Sequence, residues 1–232
     1  RVFLGASRMP AGLPAAFEER IGGRVYNRYG TTEIGIVANM YPEGDDGTPD
    51  SVGRLAAGVE LEIVDEKGRR VPPGESGEIR LRCESMVERY FDDPVATSRH
   101  FSDGWFYPRD VGSITPGGVL RFLGRRDDMM MLNGINIFPA EIERVLEEHP
   151  AVRSAAAFPI PSATYGDIPA AAVELNGTME VDAPALSAYA RGRLGVRAPR
   201  RIVVLAALPR NANGKVLKRE LAAALAQGRT GG

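Results

Sequence analysis

Cysteine is almost absent from these 232 residues. Cys83 stands alone, which excludes an internal disulfide and any cysteine-rich zinc site. Histidine is nearly as scarce: His100 and His149 are the only two, too few for histidine-rich metal chemistry. Neither sign of charge dominates, since 29 Lys and Arg against 30 Asp and Glu leave a net charge of −1. That excludes a nucleic-acid binder driven by bulk charge and an acidic disordered tail. No apolar run approaches the ~18 residues of a membrane span. No stretch reads as a signal peptide, and a cytoplasmic setting fits a chain without cysteine pairs.

What is present is the balance of a globular protein, 44% hydrophobic and 25% charged. The 27 glycines and 17 prolines imply many turns between short elements. The length admits one large or two modest domains. The chain begins at Arg1, and Val2-Phe3-Leu4 reads as a strand already under way, so a piece of a longer protein is expected.

Three patterns follow one another. Residues 1–50 read as α/β: a strand at Phe3-Leu4, a helix from Pro14 to Ile21 with Leu13, Phe17 and Ile21 at helical spacing, then a strand from Arg24 that ends at Tyr29-Gly30. Residues 51–124 read as β. Val59 to Val64 and Glu78 to Cys83 alternate with period two, Val119 to Gly124 adds a strand, and the turns between them suggest a small barrel or sandwich. After residue 129 the pattern becomes α+β. Pro139 opens a helix that Pro150 stops; strands are expected at Ala151–Pro159, Ala170–Leu175 and Arg201–Leu205, and helices from Asp182 to Gly195 and Lys218 to Leu225. The charged, turn-like run Gly124-Arg125-Arg126-Asp127-Asp128 marks the boundary.

Four segments carry candidate chemistry. Tyr29-Gly30-Thr31-Thr32-Glu33 sits at the carboxyl end of a strand, where α/β proteins bind ligands. Glycine admits a ligand to the backbone, a hydroxyl bonds phosphate, a carboxylate holds Mg²⁺ through oxygen and a tyrosine face stacks on a base. Read alone, the five residues make a strand-end turn with a helix cap. In Asp103-Gly104-Trp105-Phe106-Tyr107-Pro108-Arg109-Asp110, the final carboxylate can accept from vicinal ribose hydroxyls; read alone, the segment is a turn with an aromatic anchor. Arg125 offers a guanidinium fork to phosphate, although its run of cancelling charges equally suits a solvated linker. Asn213-Gly214-Lys215 projects a lysine from a tight turn, where it can neutralise developing negative charge; an exposed turn lysine is the plainer meaning. Glu141, Glu143, Glu147 and Glu148 read as a solvated helix face rather than a metal site, and Cys83 as a small buried hydrophobe.

The order and spacing of these segments resemble the later signatures of the adenylate-forming superfamily of acyl- and aryl-CoA synthetases, peptide-synthetase adenylation domains and luciferases. Asn27-Arg28-Tyr29-Gly30-Thr31-Thr32-Glu33 resembles Asn-x-Tyr-Gly-x-Thr-Glu, Gly104-Trp105-Phe106 through Asp110 resembles Gly-Trp-Phe-x-Thr-Gly-Asp, and Gly124 to Asp128 resembles Gly-Arg-x-x-Asp. Asn133-Gly134-Ile135-Asn136-Ile137-Phe138-Pro139 is similar to a CoA-ligase segment, and Asn213-Gly214-Lys215 to the terminal lysine signature. The resemblance implies that residues 1–126 are the α/β and β-barrel-like remainder of a large N-terminal domain, and that residues 127–232 are a mobile α+β C-terminal domain.

It also implies roles. Gly5-Ala6-Ser7 would lie near adenine, with Tyr29, Gly30 and Thr31 at the nucleotide. Thr32 would contact the α-phosphate and Glu33 would ligate Mg²⁺. Asp110 would bind the ribose hydroxyls, and Arg125 ribose or phosphate. Asp127 would be the hinge, Lys215 the catalytic lysine, and Asn133 and Gly134 part of the segment used during thioester formation. The implied reaction takes a carboxylic acid and ATP to an acyl-adenylate and AMP, with CoA as thiol acceptor; the alternatives are a carrier-protein phosphopantetheine and a non-catalytic interaction module. Two features depart from the family pattern. Pro108-Arg109 stands where Thr-Gly is expected, and Met131 where Lys or Asn is common. The family's phosphate loop and most of its acyl pocket would lie upstream of Arg1, so residues 1–232 alone are expected not to turn over.

Overall fold

Helical spacing of Leu13, Phe17 and Ile21 places a helix, Leu13–Ile21 (α1), between two strands, Val2–Leu4 (β1) and Val25–Thr31 (β2), that pair in parallel. The computed structural model describes residues 2–5, 13–41, 50–212 and 214–226. Within it the chain forms two compact units, Arg1–Asp127 and Asp128–Gly232.

From β2 onward, every pairing described in the first unit is antiparallel. The strands are Gly35–Asn39 (β3), Ser51–Leu55 (β4), Glu60–Val64 (β5), Gly77–Arg82 (β6), Phe101–Ser102 (β7), Trp105–Phe106 (β8), Asp110–Ile114 (β9) and Leu120–Arg125 (β10). Their spatial order is β1-β2-β3-β4-β10-β9-β6-β8-β7, with β5 on β6. Because β4 pairs both β3 and β10, the β-rich stretch is continuous with the α/β start. The β5–β6 pair illustrates the period-two rule. Leu61 faces Leu81 and Ile63 faces Ile79, all four buried, while Glu60 and Glu62 meet Arg82 and Arg80 at 2.5 Å on the other side. Arg80 and Arg82 both lie over the Trp105 ring.

The expectation of strand throughout 51–124 needs one correction. Pro94–His100 is a helix (α2), started by Asp93, whose side chain accepts from the Ala96 N–H at 2.8 Å, with Pro94 in the first turn. An N-cap aspartate before proline is a start signal that strand alternation on either side obscured.

The second unit contains Met130–Leu132 (β11), Ile135–Ile137 (β12), Pro139–Glu147 (α3), Val152–Ser162 (β13), Gly166–Leu175 (β14), Ala183–Leu194 (α4), Arg201–Leu205 (β15) and Lys218–Ala226 (α5). The hairpin β13–β14 is longer than its apolar runs suggested, and β15 adds to β14 in parallel. Alternation divides the small residues between two cores. Ala155, Ala157, Ala171 and Val173 pack with Ile142, Leu146 and Leu186 of α3 and α4, whereas Ala156, Phe158, Ala170 and Ala172 pack with Leu221 and Leu225 of α5. A sheet buried on both faces explains why these strands lack polar alternation.

The glutamates of α3 are not one solvated face. Glu143 is buried, and its Oε1 accepts from the Ala157 N–H at 3.0 Å and lies 2.6 Å from Lys218 Nζ; Glu147 accepts from Ala155 N–H at 3.1 Å. These carboxylates satisfy backbone donors of β13, a long-range requirement that helical periodicity alone does not express.

Candidate active site

The β2–β3 hairpin supplies the first side chains. Its register shifts between Tyr29 and Gly30, and a Cβ at Gly30 would collide with the Gly35 carbonyl oxygen. The strand therefore continues through Tyr29-Gly30-Thr31, and a turn at 32–34 returns it as β3. No helix follows, so the strand-end reading is corrected to a hairpin.

Tyr29 is 8% exposed and rests on Phe122, with ring centroids 5.4 Å apart. Its hydroxyl donates to Asp110 Oδ2 at 2.5 Å, and Arg125 Nε lies 3.1 Å from Asp110 Oδ1. Sheet register makes this possible, because Arg125 and Asp110 are paired across β10 and β9. Asp110 is 4% exposed, a buried carboxylate held by a hydroxyl and a guanidinium. Burial, then the Asp110 charge and hydrogen bond, raise the Tyr29 pKa well above the ordinary tyrosine value.

Glu33, in the hairpin turn, accepts from the Tyr90 hydroxyl at 2.6 Å through Oε1. Burial and then Glu33 push the Tyr90 pKa up as well. Tyr29 feels the Glu33 charge and Tyr90 feels Arg125, so the two pairs lie within electrostatic reach. Thr31 Oγ1 is buried with no hydrogen-bond partner among the described residues, and Thr32 is exposed at the turn. Gly5 follows β1 beside Arg28, where a Cβ would come within 3.2 Å of the Arg28 carbonyl oxygen. Ala6 and Ser7 lie outside the described residues. The structure thus brings Tyr29, Asp110 and Arg125 together from three separated segments, with Glu33, from the same segment as Tyr29, within electrostatic reach. Tyr90 is not legible in the sequence: the Arg89-Tyr90-Phe91 stretch carries no sign that one ring turns toward Glu33.

Asp127 lies at the end of the first unit and is paired with Arg99 and Arg109. The Arg109 side chain joins Asp127 to Glu78.

In the second unit, Asn133 and Gly134 form the exposed β11–β12 turn, both at positive φ, 49° and 79°. With Met131 and the tip of the β13–β14 hairpin, including Tyr165 and Asp167, they line an open cleft of about 620 Å³. Lys215 is exposed. Its backbone N–H donates to Asn211 Oδ1 at 2.9 Å, and Arg210 anchors the loop through Gly214 O at 2.9 Å and Ser154 Oγ at 3.0 Å. Asn213 lies outside the described residues.

The remaining candidates are structural. His100 Nδ1 contacts the Tyr107 carbonyl at 2.8 Å, His149 packs edge-on against Tyr189, and half-buried Cys83 contacts Ser85. Among the described residues no His/Cys/Asp/Glu cluster could hold a metal by itself, and no helix is long and apolar enough to cross a membrane.

Comparison with known proteins gives two family matches. The AMP-binding enzyme model matches residues 1–91, and the AMP-binding enzyme C-terminal domain model matches residues 141–215. A 2-succinylbenzoate–CoA ligase of Geobacillus kaustophilus is 36% identical over 222 residues, 95% of this chain and 45% of that protein. A long-chain-fatty-acid–CoA ligase of Salmonella typhimurium is 30% identical over 193 residues, 83% of this chain and 34% of its own length. Among solved structures, the amide bond synthetase McbA of Marinactinospora thermotolerans superposes with a TM-score of 0.88 at 31% identity, covering 97% of this chain and 46% of McbA. The o-succinylbenzoate CoA synthetase of Bacillus subtilis, solved with its acyl-adenylate intermediate, gives 0.82 at 32% identity, covering 94% and 45%. The chain spans less than half the length of each of these relatives.

Proposed function

The chain belongs to the adenylate-forming superfamily, and from that premise we propose that the complete protein activates a carboxylic acid with ATP and passes the acyl group to CoA. The observation that carries the reading is the meeting of Tyr29, Asp110 and Arg125, motif residues from three separate segments, with Glu33 within electrostatic reach of Tyr29.

The residues fit a magnesium nucleotide. Glu33 is an oxygen donor of the kind Mg²⁺ takes, and its Oε2 has no hydrogen-bond partner among the described residues. Bound there, Mg²⁺ would offset charge on the phosphates. Thr31 and Thr32 bring hydroxyls to the same hairpin end, and the Thr31 oxygen is the unpartnered one. Asp110 and Arg125 would take the ribose, Asp110 having been oriented by Tyr29.

In the first half-reaction a substrate carboxylate oxygen bonds to the α-phosphorus while the bond to pyrophosphate breaks. Two anions must approach, and Lys215 is the cation proposed to screen them. In the second, a thiolate sulfur bonds to the acyl carbon and AMP leaves. Lys215 serves the first step only, while Asn133 and Gly134 serve the second after rotation at Asp127.

McbA favours a second reading, in which an amine rather than a thiol takes the acyl group, because a protein named for amide synthesis shares this fold over 97% of the chain. The test uses the complete protein. Acid-dependent ATP–pyrophosphate exchange is expected, followed by product formation with CoA; no exchange with any member of a broad carboxylic-acid panel overturns the proposal. Holo carrier protein and simple amines, run in parallel, separate the acceptors.

A further inference from the structure

The boundary between the units falls after Asp127, and the side chain of that residue is gripped. Arg109 Nη2 lies 3.1 Å from Asp127 Oδ1, and Arg99 Nη2 lies 3.1 Å from Oδ2. Arg109 also reaches Glu78 Oε1 at 3.4 Å, and Arg126 Nη1 reaches Oε2 of the same carboxylate at 2.5 Å. The Arg126 N–H donates to the Arg109 carbonyl at 2.8 Å. The backbone of Arg109 is left-handed, with φ 65°, a conformation natural to glycine and strained for a residue with a Cβ. Strain of this kind persists only where surrounding contacts hold it. Here they are the two carboxylates that its guanidinium bridges.

We infer that Arg109 is a positioning residue which, together with Arg99, clasps Asp127 and fixes the backbone at the joint between the two units. It acts through Asp127 and touches no reacting atom. The inference rests on the proposed function in one respect: if the second unit turns at residue 127 between half-reactions, the clasp sets how readily it turns. The grip is adjustable rather than permanent. Asp127 is 45% exposed and Arg99 56%, so salt screens the pairs. Arg109, at 24%, is the better-buried member and is braced from behind by Glu78.

The test is limited trypsin digestion of the complete protein, following cleavage after Arg125 and Arg126 by mass. Arg109→Gly suits the backbone, so it removes the guanidinium without adding strain. Joint cleavage is expected to rise about three- to fivefold, the range a network of half-exposed pairs corresponds to. Wild type is expected to approach the variant as salt rises from about 0.1 M to about 1 M, where the screening length falls from ~10 Å to ~3 Å. Arg99→Gln and Arg109→Lys should lie between. Unchanged cleavage in Arg109→Gly, or a wild-type rate indifferent to salt, overturns the clasp. This readout needs no substrate, so a protein without pyrophosphate exchange whose joint still loosens in Arg109→Gly would refute the proposed function and support the clasp. Where exchange is present, single-turnover rates supply the second readout: Arg109→Gly should alter the ratio of acyl transfer to adenylation, and an equal change in both counts against it.

Discussion

The Tyr29 hydroxyl donates to Asp110 Oδ2 at 2.5 Å, joining residues 81 positions apart inside the first unit. A buried carboxylate is costly unless its oxygens are engaged, and Tyr29 and Arg125 engage one each. Tyr29→Phe removes the hydroxyl partner and keeps Arg125. It should cost about 1–3 kcal/mol, the penalty for a buried acceptor that loses its donor. The pH dependence carries a sign. The Tyr29 pKa is raised by burial and then by Asp110, so its contribution is complete below the unfolded value of about 10 and is lost as pH climbs through the folded one. Thermal unfolding from neutral pH upward should show a constant gap between wild type and Tyr29→Phe, narrowing above about pH 10. A gap that widens there contradicts this account.

Two glycines of the same hairpin should respond unequally to alanine. At Gly30 the added methyl meets the Gly35 carbonyl, backbone that cannot rotate away. Overpacking of this kind costs about 1–3 kcal/mol, and the hairpin must shift to relieve it. At Gly35, φ is 90° and nothing lies within 4 Å, so the penalty is conformational strain alone, about 1 kcal/mol. Urea unfolding of the two variants should rank Gly30→Ala as the less stable. Because Gly30 lies between Tyr29 and Thr31, its substitution should also weaken nucleotide-stimulated stabilisation of the complete protein, while Gly35→Ala should do so less.

The elements most visible in the sequence were those governed by local rules. Alternation set the β5–β6 pair to within a residue, and the opening Pro139 set the start of α3. The hairpin after Thr31 was hidden because its glycines act through close approach, which has no period. Helix α2 was hidden because seven residues between strands carry little periodicity, although Asp93-Pro94 announces its start. Of the site, residue types at Tyr29, Glu33, Asp110 and Arg125 suggested chemistry, but the Asp110–Arg125 pair is a consequence of register between β9 and β10, and the Tyr29–Asp110 bond joins residues 81 positions apart. Tyr90 and the contacts of Arg109 depend on side-chain placement, and neither follows from spacing.

Two lysines three residues apart should behave oppositely. Lys215 is exposed and, among the described residues, only its backbone is bonded, so Lys215→Ala should change stability by less than about 0.5 kcal/mol. Under the proposed function it should nevertheless lower acid-dependent pyrophosphate exchange about 10²–10³-fold, the range for removing one group aimed at developing charge. Acyl transfer from a supplied acyl-adenylate should change little, since the lysine has no part in that step. Lys218 begins α5 and lies 2.6 Å from buried Glu143, itself bonded to the Ala157 N–H. Lys218→Met removes a positive partner from that carboxylate and should cost about 1–2 kcal/mol, the lower part of the range because Lys218 is one-third exposed. Its two half-reactions should fall together or not at all. Equal loss of both half-reactions in Lys215→Ala, with stability intact, would remove the lysine's assignment to adenylation.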